Sequence, residues 1–238
     1  MRRLAVLALA ALTCGAGPRS GFETMTPELQ AMQRDDLANP GMLYVAEGEA
    51  VWEREGCATC HTVGAMRGVA AHYPALDMAS GAPIDLGGRI AQCREARQGK
   101  PPLPREGAPM LALAAFVAHQ SRGMPVQPDT RLVAARQEGE ALFRERRGQL
   151  NLSCAQCHDD NAGRTLAGSR IPEGHANGYP LYRLEWQGLG SLQRRLRNCI
   201  AGVRSEPYPA GAPEYVALEA YLAARGRGLV VETPAVRP

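Results

Sequence analysis

Apolar and polar positions along the chain fall into two related sets. In EGEAVW (Glu47 to Trp52) and EGEALF (Glu138 to Phe143) a glycine stands four residues before an aromatic, which puts both on one helix face. GAPMLALAAFV (Gly107 to Val117) and GAPEYVALEAYL (Gly211 to Leu222) predict two amphipathic helices. Between the early and late helix of each set lies a further match, RIAQC (Arg89 to Cys93) with RLRNC (Arg195 to Cys199). Self-similarity at a spacing of about 100 residues predicts two homologous units. Turn formers concentrate in GMPVQPDT, Gly123 to Thr130, and mark the linker. The expected organisation is a first unit over 24–125 and a second over 126–238. Both are mainly α, with long irregular loops such as KPPLPREGAP and SEPYPAGAP.

The opening MRRLAVLALAALTCGAG has two arginines, an apolar run from Leu4 to Leu12 and then small residues, the pattern of a signal peptide over 1–20. The run is too short to span a bilayer, and no other stretch approaches the roughly 18 apolar residues that a span needs. Export to the periplasm is the expectation. Ala11-Leu12-Thr13 fits a lipoprotein box poorly, so Cys14 is expected to leave with the leader. The net charge of +3 falls to about +1 without Arg2 and Arg3, which gives no nucleic-acid footprint. Aromatics are only 5% of the chain, which suits domains that gain apolar volume from a bound cofactor.

Six cysteines remain beyond Cys14, and four form two copies of one motif: Cys57-Ala-Thr-Cys60-His61 and Cys154-Ala-Gln-Cys157-His158. C-x-x-C-H is the attachment signature of c-type haem. The two thiols add across the two vinyl groups of one porphyrin, and the adjacent histidine is held under the iron. A zinc ribbon would need the two pairs close together, and they are 97 residues apart. A redox dithiol would sit in a βαβ pattern and has no need of the histidine. Two covalently bound c-type haems are therefore expected, one per unit, in two tandem cytochrome c-like domains.

Cys93 and Cys199 are left over. In an oxidising compartment such a pair often forms a disulfide. The repeat favours a different role, because each stands in the part of its unit from which a cytochrome c domain draws its sixth ligand. For the first haem Met66, Met78 and Met110 are rivals to Cys93. The second unit has no methionine after Met124, which leaves Cys199 and His175. A thiolate ligand needs nearby positive charge. Arg89 and Arg195 each stand four residues before a lone cysteine, on the same helix face. A guanidinium there also suits an oxyanion substrate.

The runs GQLNLSCAQCHDDNAG, NGYPLYRL and RLRNCIAGVRSEPYPAGAPEYVALEAYLAARGRGL, with DDLANPGMLYVAEGEAVWEREGCATCH and SRGMPV in the first half, resemble the SoxA family of bacterial thiosulfate oxidation. The similarity covers about residues 35 to 235 and both haem motifs. The resemblance implies ligation of one haem by His61 and Cys93 and of the other by His158 and Cys199. It implies that Cys199 carries a persulfide at the active site, with Arg195 and Arg225 lining the substrate approach. The implied activity is that of an L-cysteine S-thiosulfotransferase, which conjugates thiosulfate oxidatively to a cysteine of the SoxYZ carrier. Two electrons would pass by way of the haem subunit SoxX to a soluble cytochrome c. A plain di-haem electron carrier is the rival reading. A di-haem peroxidase would need an open distal site, and a cysteine fits each one.

Overall fold

The structure, a computed structural model, describes residues 17–238; the predicted leader's apolar run and Cys14 lie outside the described residues. It is mainly helical. The first half holds α1 (Pro27–Arg34), α2 (Gly41–Arg54), α3 (Leu86–Gln98) and α4 (Ala108–His119). The second holds α5 (Val133–Arg144), α6 (Cys154–His158), α7 (Leu192–Gly202) and α8 (Pro213–Arg225). Two tandem cytochrome c-like units follow from this order. α2 crosses α4 in the first, as α5 crosses α8 in the second.

Both crossings depend on a missing side chain. A Cβ on Gly48 would stand 2.1 Å from the Ala112 carbonyl oxygen and 2.7 Å from the Phe116 Cβ. A Cβ on Gly139 would stand 2.0 Å from the Ala217 oxygen and 2.8 Å from the Tyr221 Cβ. These contacts equate Ala112 with Ala217, whereas alignment of the two GAP strings would equate it with Val216. The helices thus correspond one residue later than the strings suggest. α4 also departs from the amphipathic expectation: Met110 through Val117 and Ala118 are all buried. It has α2 on one side and the second half on another, so no polar face is exposed.

The segments carrying the lone cysteines correspond without a gap. A short hairpin, β1 (Ala75–Leu76) with β2 (Pro83–Ile84), leads into α3. Its counterpart, β5 (Leu181–Arg183) with β6 (Gly188–Gly190), leads into α7 and has the same register, Ala75 opposite Ile84 and Leu181 opposite Gly190. Tyr73-Pro74 and Tyr179-Pro180 precede the hairpins at the same 106-residue offset, a match missed by the sequence reading. Asp85 and Ser191 cap α3 and α7, accepting from Gly88 N and Arg194 N. A small hairpin of β3 (Thr165–Leu166) and β4 (Ser169–Arg170) has no counterpart in the first half.

The halves are not independent. Tyr182 and Leu189 of the second hairpin lie in the first unit's core with Trp52, Leu113 and Phe116. The chain's last strand, β7 (Ala235–Arg237), pairs in parallel with β5. The N-terminal segment fastens to that tail: Val236 N donates to Gln33 Oε1 at 3.0 Å, and Asn39 Nδ2 to the Pro234 oxygen at 2.9 Å. In the predicted linker, Gly123 N and Val126 N bond to Val231 and Leu229, and Gln127 N to Ala71, so it is tied to both halves. No helix among the described residues is long and apolar enough to cross a membrane.

A cavity of about 160 Å³ lies between the halves, with Asp85, Arg105, Glu106, Gln193 and Glu219 in its wall. Burial, reinforced by the charge of Asp85, pushes the Glu219 carboxyl up to about 8.

Two predictions concern stability. Gly48→Ala and Gly139→Ala should each lower the melting temperature by several degrees, the response to roughly 1–3 kcal/mol of overpacking. Gly64→Ala, whose Cβ would meet nothing within 4 Å, is the control and should melt like the wild type. The second concerns pH. Because the folded chain keeps the Glu219 proton where the unfolded chain has lost it, stability falls as pH rises from the ordinary glutamate range to about 8. Glu219→Gln should flatten that fall in melts recorded from about pH 5 to about pH 8, with Asp85, Arg105 and Glu106 left in place. A slope equal to wild type would mean that Glu219 is not its source.

Candidate functional site

The first haem motif follows directly on the end of α2, whereas the second opens a short helix of its own after a loop from the end of α5. In the first unit Gly56, at φ +78°, turns the chain out of α2 into a tight 3-10 turn over Cys57–Thr59. In the second, Ser153 and Gln156 form a reciprocal cap that starts α6 on Cys154. The Trp52 ring lies 6.2 Å from that of His61, and Phe143 lies 6.4 Å from His158. These are the aromatics that follow the two crossing glycines, so the repeated glycine-aromatic spacing carries each ring to its histidine.

Several features of these sites fit a haem. His158 Nδ1 donates to the Pro172 oxygen at 2.8 Å, which leaves Nε2 as the nitrogen available to a metal. Burial, assisted by the charges of Arg195 and Arg225, holds this imidazole below its usual pKa and so neutral. Gly174, at φ +78°, lets the chain pass the ring, where a Cβ would stand 3.0 Å from His158 Cγ. In the first unit the Trp52 indole nitrogen is buried without a protein partner, a donor left for a bound group.

All six cysteines among the described residues are free, so the Cys93–Cys199 disulfide does not form. Each lone cysteine faces its own unit's motif. Burial raises the Cys57 thiol, and Cys93 adds to the rise; burial raises Cys154 to about 11, and Cys199 adds to it. The rival ligands stand elsewhere. Met78 is exposed, with Arg131 Nη1 3.3 Å from its sulfur, and Met110 is buried on α4, in the wall of the cavity between the halves. Met66 packs against the rim of the first core. His175 turns its Nε2 to Glu173 at 3.2 Å.

The arginines distinguish the two sites. Arg89 is neutralised: its Nη1 lies 3.0 Å from Asp77 Oδ1, and it also donates to Gln92. Asp77 is buried and is held well below the usual carboxylate range by Ser80 and Gln92, with a further contribution from Arg89. The residue equivalent to Asp77 in the gap-free correspondence is Arg183. A carboxylate in one unit is therefore a guanidinium in the other. Arg195 has no carboxylate partner within 4 Å among the described residues. Burial and the charge of Arg195 push the Arg183 pKa down, and the Arg183 Nε is buried without a partner. Arg183 is otherwise held from outside, by exposed Glu185 at 3.0 Å and by Trp186, whose ring centre is 5.2 Å away and also carries Arg194 at 4.3 Å. Tyr179, pushed up to about 12 by burial, feels both Arg195 and Cys199. Sequence reasoning missed Arg183 and Tyr179. Both belong to NGYPLYRL, whose alignment with HYPALDM would have exposed the exchange.

Arg225, like Arg195, lies near enough to His158 to help hold its pKa down. It donates to Asp159 Oδ1 at 2.8 Å and to the Glu173 oxygen at 3.1 Å, and lies 4.9 Å above the centre of Phe143.

A family model described as "SoxA/TsdA, cytochrome c domain" matches residues 47–126 and 138–231. The chain belongs to this family. It is a c-type cytochrome and carries c-type haem. Among its relatives, the L-cysteine S-thiosulfotransferase subunit SoxA of Rhodovulum sulfidophilum is 38% identical over 229 residues, covering 92% of this chain and 80% of that protein. The SoxA subunit of Paracoccus pantotrophus is 34% identical over 227 residues, covering 92% and 78%. A chain of the crystal structure of SoxXA from P. pantotrophus superposes with a TM-score of 0.89 at 33% identity, covering 93% of this chain and 87% of that one.

Proposed function

We propose that this SoxA-family chain is an L-cysteine S-thiosulfotransferase whose chemistry is done in the second unit. The observation that carries the assignment is the exchange of Asp77 for Arg183 at equivalent positions. It leaves the first unit's arginine paired and the second unit's arginine facing more positive charge. Two neighbouring guanidiniums beside a thiol, with only exposed Glu185 on Arg183 and no carboxylate on Arg195, form a receptor for a sulfur oxyanion.

In this reading the unit over 24–125 holds one haem through Cys57, Cys60, His61 and Cys93, and the unit over 126–238 holds another through Cys154, Cys157, His158 and Cys199. When bound, haem supplies a metal centre that a thiolate can ligate and an outlet for electrons. Arg195 binds the sulfonate end of thiosulfate, with Arg183 completing the positive pocket and Arg225, occupied by Asp159, lying further off. Held there, the outer sulfur of thiosulfate is presented to the Cys199 sulfur, which carries a persulfide. The overall conversion joins the outer sulfur of thiosulfate to a thiolate of the SoxYZ carrier through a new S–S bond. Two electrons leave, by way of SoxX, to a soluble cytochrome c. Residues 1–20 contain an export leader and the mature chain works in the periplasm. Arg19 and Ser20, at the end of that stretch, bond to Glu173 and Glu232.

The roles of the two lone cysteines separate by mutation. Cys199→Ala should abolish thiosulfate conjugation while mass spectrometry still finds two attached haems, because the covalent anchors are untouched. Cys93→Ala should alter one thiolate-type electron paramagnetic resonance signal and leave substantial activity. Equal losses from both would refute the assignment to the second unit.

Arg195→Ala should lose roughly tenfold to a hundredfold in kcat/KM for thiosulfate, the value of a charge-assisted bidentate contact. Arg195→Lys should be intermediate, since it keeps the charge without the fork. Arg183→Asp, which installs the first unit's charge, should match or exceed the alanine loss with haem content unchanged. Normal turnover in both Arg195→Ala and Arg183→Asp would place the anion site away from these arginines, whereas a wild-type protein that conjugates no thiosulfate would leave a plain electron carrier as the better reading.

A further inference from the structure

The helices that carry the lone cysteines begin next to each other, across the boundary between the units. Asp85, the cap of α3, is buried. Its Oδ1 accepts from Gly88 N at 2.8 Å and from Arg105 Nη2 at 3.1 Å. Its Oδ2 accepts from Arg105 Nη1 at 2.6 Å and from Gln193 Nε2 at 3.0 Å. Gln193 lies on α7, only 3% exposed, and its Oε1 accepts from Gly211 N at 2.8 Å just ahead of α8. Beside it Ser191, the cap of α7, donates to Glu106 Oε1 at 2.5 Å and accepts from Arg194 N at 3.0 Å. One carboxylate therefore starts the Cys93 helix and grips the Cys199 helix.

The surroundings are shaped for this contact. A Cβ on Gly88 would stand 2.6 Å from Asp85 Oδ1, and a Cβ on Gly211, at φ +83°, would stand 2.5 Å from Arg105 Nε. Glycine at both places lets the carboxylate and the guanidinium lie flat against the backbone of the two units. The equivalent of Gln193 in the first unit is Gly87, which has no side chain to return the grip. The device runs one way, from the first unit to α7. Six residues separate Gln193 from Cys199, about 9 Å along the axis, so the hold acts on the same rigid rod as the thiol.

We propose that Gln193 is a positioning residue for the Cys199 site, and that Asp85 of the first unit, acting through it, sets the angle at which α7 presents Cys199 and Arg195. This rests on the reading of Cys199 as the ligand in the second unit. It gives the first unit a role in the reaction that does not pass through its own haem.

The test uses the full haem-loaded protein. Gln193→Met keeps the volume and removes both hydrogen bonds. It should shift or broaden the paramagnetic resonance signal that is absent from Cys199→Ala and leave the other haem's signal alone. It should also lower kcat for thiosulfate conjugation roughly three- to tenfold. The paired exchange of Asp85→Asn with Gln193→Glu moves the donor to the α3 side and the acceptor to the α7 side. It retains a cap for Gly88 N, an acceptor for Gly211 N and one carboxylate in the buried cluster. It should restore both the signal and kcat. An unchanged signal and kcat in Gln193→Met would overturn the proposal, as would an exchange that folds and binds haem yet keeps the shifted signal. If Gln193→Met does not fold, the exchange decides alone by the same criterion. A wild-type protein with no thiolate-type signal in the second unit would instead remove the ligand reading, and this proposal would fall with it.

Discussion

Everything in this fold hangs on two places where backbone lies directly against backbone. Gly48 on Ala112 and Gly139 on Ala217 bring the early and late helix of each unit together at a distance that a single methyl group would forbid. Close packing at such a point leaves no room for adjustment. Once the crossing is set, Trp52 and Phe143 fall one turn further on, beside His61 and His158. The first haem motif is then delivered by the end of α2, and the second packs its histidine against the fixed Phe143 of α5. The long loops can be irregular because the crossing, and not a sheet, defines the frame.

On this shared frame the units have diverged by charge more than by shape. The hairpins β1–β2 and β5–β6 keep one register, and the caps Asp85 and Ser191 occupy one place. What differs is the residue at the end of the first strand. Asp77 closes the circuit around Arg89, so that side chain is satisfied from within. Arg183 offers Arg195 no such partner, and Arg195 is left without a carboxylate among the described residues. Two sites with nearly the same backbone can thus differ in whether an anion is welcome.

Much of this was legible in the sequence, and the legible parts share a property. The C-x-x-C-H motifs, the glycine-aromatic pairs and the Arg-x-x-x-Cys helices are all local patterns, and each was found where local spacing placed it. The register of α4 against α8 was misread by one residue because Gly-Ala-Pro strings align by identity, whereas helices align by what they touch. The Asp77-to-Arg183 exchange was invisible for a related reason: opposite charges at matched positions look like loss of similarity, and their meaning appears only when both arginines are in view. The burial of α4, the parallel strand β7 and the entry of Tyr182 and Leu189 into the first core are contacts between distant parts of the chain, which no periodicity records.

The shared core has a consequence for what such a chain can discard. Tyr182 and Leu189 need the first unit's helices to cover them, α1 and the tail clasp each other across the whole length of the protein, and α7 is held by Asp85. Cys57 touches only the edge of that core, and neither Cys60 nor His61 takes part in these contacts. A chain of this architecture could therefore lose its first haem-binding motif and still be obliged to keep the domain around it. The surviving domain would act as a buttress for the second, retained for its shape after its iron had gone.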